Sequence, residues 1–383
     1  MRLKRVISLF LALALALSLS LPVLAVEGTG SMAHFTAVRD YVPFSDVPDG
    51  AWYAADVKQA YELGIIGGKE NGAFDPEGEL TVAEAVALMV RTACIYYGWP
   101  APQAGGTPWY QSTVDFAIRK GLLTEGEFSS YDAPATRGEM ARLFGQALPT
   151  AEYTRINRIV NIPDVDNGNA DVDYIYLLYS AGITTGSDGG RYYPNELVHR
   201  CEAAALITRV ALPDSRRAFS LSEPAVGTQV TGGVTGCTLV LPFSSWTSAD
   251  PASAGTDGSA ELYLTSDRYG ASIVVERFAK PADWGGLAAL EQLALSSASE
   301  LAAAGMAVEQ APYYCLMRGY PGFRLQMTGG SGGSAQTGLE CYLLENASSV
   351  YRLTLRWDKE DEAARTEGYE QMFDILYTFD MPL

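Results

Sequence analysis

The chain has 383 residues, with 27 Lys and Arg against 45 Asp and Glu, two histidines, five cysteines and a formal charge of −18. That length predicts two or three domains with real cores. The acidity argues against nucleic acid or anionic lipid as the main partner, since both are held mainly through Lys and Arg. Apolar residues make up 48% and charged residues 19%, which argues against a disordered chain, and two histidines leave little room for a His-based metal cluster.

Residues 1–25, MRLKRVISLFLALALALSLSLPVLA, combine a basic start (Arg2, Lys4, Arg5), an apolar stretch and a Val23-x-Ala25 cleavage pattern. This is the plan of a secretory signal peptide; an uncleaved membrane anchor is the alternative. No other apolar run approaches the ~20 residues needed to span a bilayer, so no membrane insertion is expected after cleavage. The mature chain would then carry 24 Lys and Arg against 45 Asp and Glu, or −21. Residues 26–40 read as a linker. Cys94, Cys201, Cys237, Cys315 and Cys341 are too irregularly spaced for a disulfide framework. Cys315 and Cys341 lie in neighbouring predicted strands and either pair or remain separate buried thiols.

Residues 44–91 align with 162–209 at an offset of 118 without a gap, and 14 of the 48 pairs are identical, where chance gives about three. Among them are Asp46/Asp164, Gly64/Gly182, Pro76/Pro194, Glu84/Glu202 and Arg91/Arg209. A third copy lies between, with Trp109-Tyr110 matching Trp52-Tyr53 and Thr136-Arg137-Gly138-Glu139 matching Thr81-Val82-Ala83-Glu84. Three units follow: residues 41–98, 101–148 and 160–212. Each reads as a short amphipathic helix ended by glycine, a loop, an aromatic-x-Pro step (Phe74-Asp75-Pro76, Tyr192-Tyr193-Pro194), and a second helix. Thr81-x-x-Glu84 and Thr136-x-x-Glu139 are capping boxes; in the third unit His199 stands before Glu202 and weakens the cap.

These motifs resemble triplicate S-layer homology domains: a Phe-x-Asp-Val opening (Phe44-Ser45-Asp46-Val47), a Gly-Ile-Ile-x-Gly turn (residues 64–68), a Phe-x-Pro step and a Thr-Arg-Ala-Glu-like helix start. The resemblance covers residues 41–212. It implies an all-α, three-pronged bundle of repeats that holds secreted proteins to the cell wall by binding secondary wall polysaccharide, often pyruvylated. The first unit lacks the arginine (Val82), and the second has Ala101-Pro102-Gln103-Ala104 where the opening should fall.

A pyruvyl ketal presents a fixed carboxylate. A helix start offers free amides and the positive end of a dipole, and an arginine in the first turn adds a planar fork. With Glu84, Glu139 and Glu202 occupied by capping, Arg137 and Arg200 are expected to face the ligand beside Thr136, and Val82 to leave the first groove impaired or differently specific. The alternative is that each arginine makes an ion pair across a repeat junction. Trp52, Trp109 and Tyr193 are candidates for stacking on sugar, with packing between repeats as the other reading for the tryptophans. The run Asp164–Asp171 looks like a calcium loop, but the sixth and twelfth positions are Asn169 and Ile175, so the required glycine and glutamate are missing. No metal or cofactor is expected.

Residues 213–235 read as a linker or leading strand. Beyond them, strands are predicted at 237–242, 260–264, 271–278, 313–318, 323–327, 339–344 and 350–357, with helices at 284–304 and 360–376. Residues 236–383 thus form an α+β domain with an antiparallel sheet, whose element order resembles the PsbP/Mog1-like fold. The run Gly329–Ser334 reads as a hairpin tip, and Asp358–Glu362 as the lead into the last helix. No histidine follows His199, which excludes a His-assisted nucleophile within this domain, and nothing in the spacing of Glu276, Glu340 and Asp374 selects a catalytic pair. The expected function is non-enzymatic: a secreted protein at the cell wall or S-layer surface, anchored by its repeats and displaying a C-terminal binding module whose partner the sequence does not name. A wall-anchored hydrolase acting on extracellular or wall glycan is the alternative, and a lattice subunit a third.

Overall fold

The computed structural model describes residues 30–103, 106–221, 226–329, 337–358 and 362–382. The expected signal peptide, the Gly329–Ser334 tip beyond Gly329 and the centre of the Asp358–Glu362 run lie outside the described residues.

Each repeat is a helix–loop–helix: α1 (Ala54–Glu62) and α2 (Val82–Tyr97), α3 (Gln111–Arg119) and α4 (Arg137–Gln146), α5 (Val172–Ser180) and α6 (Arg200–Ala211). Gly64, Gly121 and Gly182 follow the first helix of each repeat at φ 75°, 70° and 71°. Only glycine adopts that left-handed turn without strain. The first helix of each repeat packs on the second helix of the preceding one, so α3 lies on α2, α5 on α4, and α1 on α6, which closes the circle.

The second helices start together around one point. Leu80 N–H donates to Val198 O (3.2 Å), Val198 N–H to Ala135 O (3.0 Å) and Ala135 N–H to Leu80 O (2.8 Å), a ring of three bonds with one residue from each repeat. Two further tiers follow. Val82, Arg137 and Arg200 N–H donate to Ala133, Glu196 and Gly78 O, while Ala83, Gly138 and Cys201 N–H donate to Tyr131, Pro194 and Pro76 O. Helix amides that lack an intrahelical partner are thus satisfied by a neighbouring repeat. This overturns the expectation of free amides waiting for an anion: in α4 the third amide, Glu139 N–H, is also taken, by Thr136 Oγ1.

The segment expected as an N-terminal linker is packed where described: Ser31 N–H donates to Tyr96 O and Val38 N–H to Glu62 O. The second linker is likewise tied down, with Arg217 N–H on Gly182 O and Phe219 N–H on Asn157 Oδ1. Inside its span lies β1 (Thr228–Thr231), which pairs with β2 (Thr238–Leu241) as a separate hairpin. The main sheet has seven antiparallel strands in the order β3-β4-β5-β9-β8-β7-β6: β3 (Thr247–Ala249), β4 (Ala260–Ser266), β5 (Ala271–Ala279), β6 (Ala307–Met317), β7 (Tyr320–Gly329), β8 (Thr337–Glu345) and β9 (Ser349–Asp358). Short, polar β3 and the early start of β6 escape periodicity analysis. Helix α7 (Leu287–Ala303) buries Leu290 and Ala294 on one sheet face against Phe323, Leu325 and Leu339. Helix α8 (Glu362–Leu376) buries Met372, Ile375 and Leu376 on the other, against Ile273, Leu353 and Leu355. Because β7 separates β6 from β8, Cys315 and Cys341 are not neighbours, and all five thiols are free.

The sheet domain is docked on the repeats. Asp380, 1% exposed, accepts from Arg155 Nη2 (3.0 Å) and Arg158 Nε (2.7 Å). The β6–β7 turn meets α5, where Arg318 N–H donates to Asp173 Oδ1 (2.6 Å) and its Nη2 to Val160 O (2.5 Å).

Candidate functional site

Two equivalent grooves open at repeat junctions, each built from all three repeats. The first is a cavity of about 290 Å³ over the Ile66–Lys69 loop and the α2 face bearing Glu84 and Arg91, closed by Trp109 from the second repeat and Arg200 from the third. The other, the third groove, is about 330 Å³ and lies over the Ile183–Gly186 loop and the α6 face bearing Glu202 and Arg209, closed by Trp52 from the first repeat and Arg137 from the second. The structure therefore brings Trp109 together with Arg200 and Trp52 together with Arg137.

The tryptophans go against the alternative reading of packing between repeats. Trp52 and Trp109 are 60% and 50% exposed, so they stand at the groove mouths instead of packing between repeats. Their neighbours Tyr53 and Tyr110 take the buried place.

Both guanidinia are held from the side. Arg200 donates from Nε to Phe74 O (2.8 Å) and from Nη2 to Gly67 O (2.8 Å), with its guanidinium 5.0 Å from the centre of the Phe74 ring. Arg137 donates from Nε to Tyr192 O (2.8 Å), pairs with Glu202, and sits 5.1 Å from the centre of the Tyr192 ring. Arg137 thus does make an ion pair across a repeat junction; among the described residues the Arg200 side chain donates to carbonyls. Neither is the wholly unengaged group expected from sequence, yet each guanidinium lines its groove, and such fixed forks are preorganised for an oxyanion.

The aromatic-x-Pro step under each arginine is itself pinned. Asp46 accepts from Phe74 N–H and Asp75 N–H, both at 2.7 Å, and Asp164 accepts from Tyr192 N–H (2.8 Å) and Tyr193 N–H (2.7 Å). Burial acts to raise the Asp46 carboxyl, but those amides outweigh it and hold it below the ordinary value. The acidic turn that resembled a calcium loop therefore spends Asp164 on backbone, and among the described residues no cluster of metal-ligating side chains occurs.

Thr136 caps α4 and Tyr193 turns the loop at φ 58°; neither lines a groove, and Tyr192 takes the place expected of Tyr193. The capping boxes of Thr81 with Glu84 and Thr136 with Glu139 form. At His199 the glutamate half persists, Glu202 Oε2 accepting from His199 N–H (3.0 Å).

The sequence reading missed the cations around each arginine. Lys69 and Arg91 line the first groove, Arg209 and Arg217 the third. Arg91 and Arg209 donate to Ile65 O and Ile183 O (3.0 and 3.1 Å), a pairing already present in the repeat alignment. With one glutamate apiece, each groove carries a local excess of two positive charges on an acidic protein.

Residues 43–86 and 161–204 match the S-layer homology domain. A cell surface protein of Thermoanaerobacter kivui is 26% identical over 149 residues, covering 38% of this chain and 18% of that protein. An S-layer protein of Bacillus thuringiensis subsp. finitimus is 24% identical over 196 residues, or 48% of this chain and 24% of that one. The S-layer protein sap of Bacillus anthracis is 25% identical over 171 residues, or 43% and 21%. The chain thus spans only about a fifth to a quarter of these relatives' lengths. Among solved structures, cyanobacterial PsbP from Synechocystis sp. PCC 6803 covers 42% of this chain and 95% of its own at a TM-score of 0.31 and 11% identity. Mog1p of Saccharomyces cerevisiae covers 40% and 93% at 0.29 and 11%. The likeness to these two structures is faint. The chain carries S-layer homology domains and is a protein of the cell-wall or S-layer surface.

Proposed function

We propose that this S-layer homology chain is held at the wall by residues 41–212, whose first and third grooves bind a carboxylate-bearing wall polysaccharide, pyruvylated or of similar charge, and that residues 236–383 form the displayed module. The carrying observation is the pair of equivalent grooves, each with an exposed tryptophan, a laterally fixed arginine and a local cationic excess. The tryptophan offers a face to a sugar ring and the guanidinium a fork to its carboxylate. The volumes suit a small glycan unit, at the lower end of ligand pockets.

The hydrolase reading finds less support. Glu276 is spent on Arg352 in a two-pronged pair (2.7 and 2.8 Å). Glu340 is buried with Arg324, Tyr342 and Tyr369. Alternation along the strands puts the two carboxylates on opposite faces of the sheet, so they do not flank a common bond.

The test is co-sedimentation of the full chain with intact wall sacculi and with sacculi stripped of their secondary polymer. Retention on the first and not the second is expected; equal retention on both would overturn the proposal.

A further inference from the structure

The second repeat has the same fold as its neighbours, so a second groove of the same kind, between the first and the third, is expected over its Leu122–Thr124 loop. Its parts differ one by one. The starts of α4 and α6 lie on the aromatic-x-Pro segments of repeats 3 and 1, while the start of α2 lies on residues 131–133 of repeat 2. Val82 therefore falls at the second groove, and the expectation that it impairs the first is corrected. At the tryptophan position the repeat alignment places Ala170, and at the Arg91 position Gln146.

The missing guanidinium returns from another helix. Arg142, aligned with Ala87 and Ala205 of the other repeats, places its guanidinium 5.1 Å from the centre of the Phe128 ring, close to the distance that Arg200 and Arg137 keep from Phe74 and Tyr192, although the bond register puts Ser129, one residue on, at the position of those two rings. It reaches Asp171 Oδ1 through Nε (3.1 Å) and Glu127 Oε1 through Nη1 (3.6 Å). Gly138 leaves the room this needs, since a Cβ there would meet Asp171 Oδ2 at 2.6 Å. Arg142 thus fills the inner half of the groove with its charge already matched by two carboxylates.

The outer half is walled by the sheet domain. Thr124 and Gln146 open into a cleft of about 690 Å³ whose far wall is Leu287, Tyr314 and Leu316, and Tyr314 Oη meets Thr150 Oγ1 at 3.2 Å. The charged groups lining this cleft are Glu127 and Glu291, so its sign is opposite to that of the two open grooves.

We infer that the second groove has been withdrawn from wall binding, filled by Arg142 and walled by the C-terminal domain, so that the chain grips an acidic polymer at two sites. This rests on the wall-polymer reading above for its ligand, but the reversal of groove charge can be tested without one. All five native thiols are free, four buried and Cys315 half-buried, which permits single cysteine probes at the equivalent positions Thr124 and Thr185. In the full chain, anionic and cationic methanethiosulfonate reagents should separate the two. T185C should favour the anionic reagent and T124C the cationic one, with rate ratios differing roughly tenfold and converging at high salt. Equal ratios would overturn the inference whatever the polymer proves to be.

Binding stoichiometry is the second arm. With a methyl glycoside bearing a pyruvyl ketal, native mass spectrometry should count two sites per chain, still two in R142A, one in R137A or R200A, and a gain to three in V82R/R142A. Three sites in the native chain, or a site lost in R142A, would contradict the inference. Zero sites with the thiol contrast intact would instead sink the wall-polymer reading alone.

Discussion

Replacing Asp46 by alanine removes one carboxylate that holds two amides, Phe74 N–H and Asp75 N–H, each at 2.7 Å. A hydrogen bond to a charged group contributes about 1.5–3 kcal/mol, so the two at the low end give about 3 kcal/mol. Asp46 is part-exposed, and solvent screening brings the expected loss to about 2 kcal/mol. Urea unfolding followed by fluorescence measures it as a lowered midpoint at constant slope. Asp46→Asn keeps one acceptor oxygen and should recover about half. Because folding holds this carboxyl below its ordinary value of 3.8, its contribution is present above that pH and is lost as pH falls through the folded value. The D46A and native curves should therefore converge in acid. Asp164→Ala provides an internal replicate, since Asp164 makes the same two bonds 118 residues away. A loss below about 0.5 kcal/mol in both variants, or Asn no better than Ala, would refute the reasoning that these carboxylates set the loops under the arginines.

Three further outcomes follow from the packing. Asp173, at the contact between α5 and the β6–β7 turn, is raised from 3.8 to about 6 by burial, against the Arg318 amide, Tyr377 and the Arg318 charge. Its share of stability is thus full below 3.8 and lost as pH rises through 6. Asp173→Asn should raise stability at pH 7.5 by roughly 2–3 kcal/mol and flatten the pH profile of thermal unfolding; a loss at pH 7.5 would contradict this. Gly319→Ala places a Cβ 2.7 Å from Leu177 N at φ 77°. It should weaken docking by about 2 kcal/mol or more, seen as faster proteolysis between repeats and sheet domain. Burial pushes the Cys315 and Cys341 thiols up to about 12 and 11. Ellman's reagent should therefore label neither until the chain is denatured, and non-reducing gels should show no Cys315–Cys341 bridge.

What the sequence disclosed was what is local or repeated. The offset of 118 exposed the repeats, and Thr81-x-x-Glu84 located a helix start to the residue, because a capping box is a four-residue interaction. The arginines could be chosen by motif, but their setting could not. The carbonyls that consume the helix amides come from Gly78, Ala133 and Glu196, each in a different repeat from the amide it serves. Trp52 reads as the apolar start of a helix, and only the neighbouring repeats decide that Tyr53 goes inward while the indole stays at a groove mouth. Arg142 was invisible for a related reason. A lost side chain at position 82 is replaced over the Phe128 ring by one from another helix, and no single-motif comparison aligns the two. In the sheet domain, alternation found the buried strands, and polar β3 lacked any such signal.

The central claim, that paired grooves hold an acidic wall polymer, is tested most directly by calorimetric titration of solubilised wall polysaccharide into the full chain and into R137A/R200A. Saturable binding by the native chain, weakened with rising salt and lost in a double variant of native thermal stability, is the result predicted. Unchanged affinity in that folded double variant would contradict it.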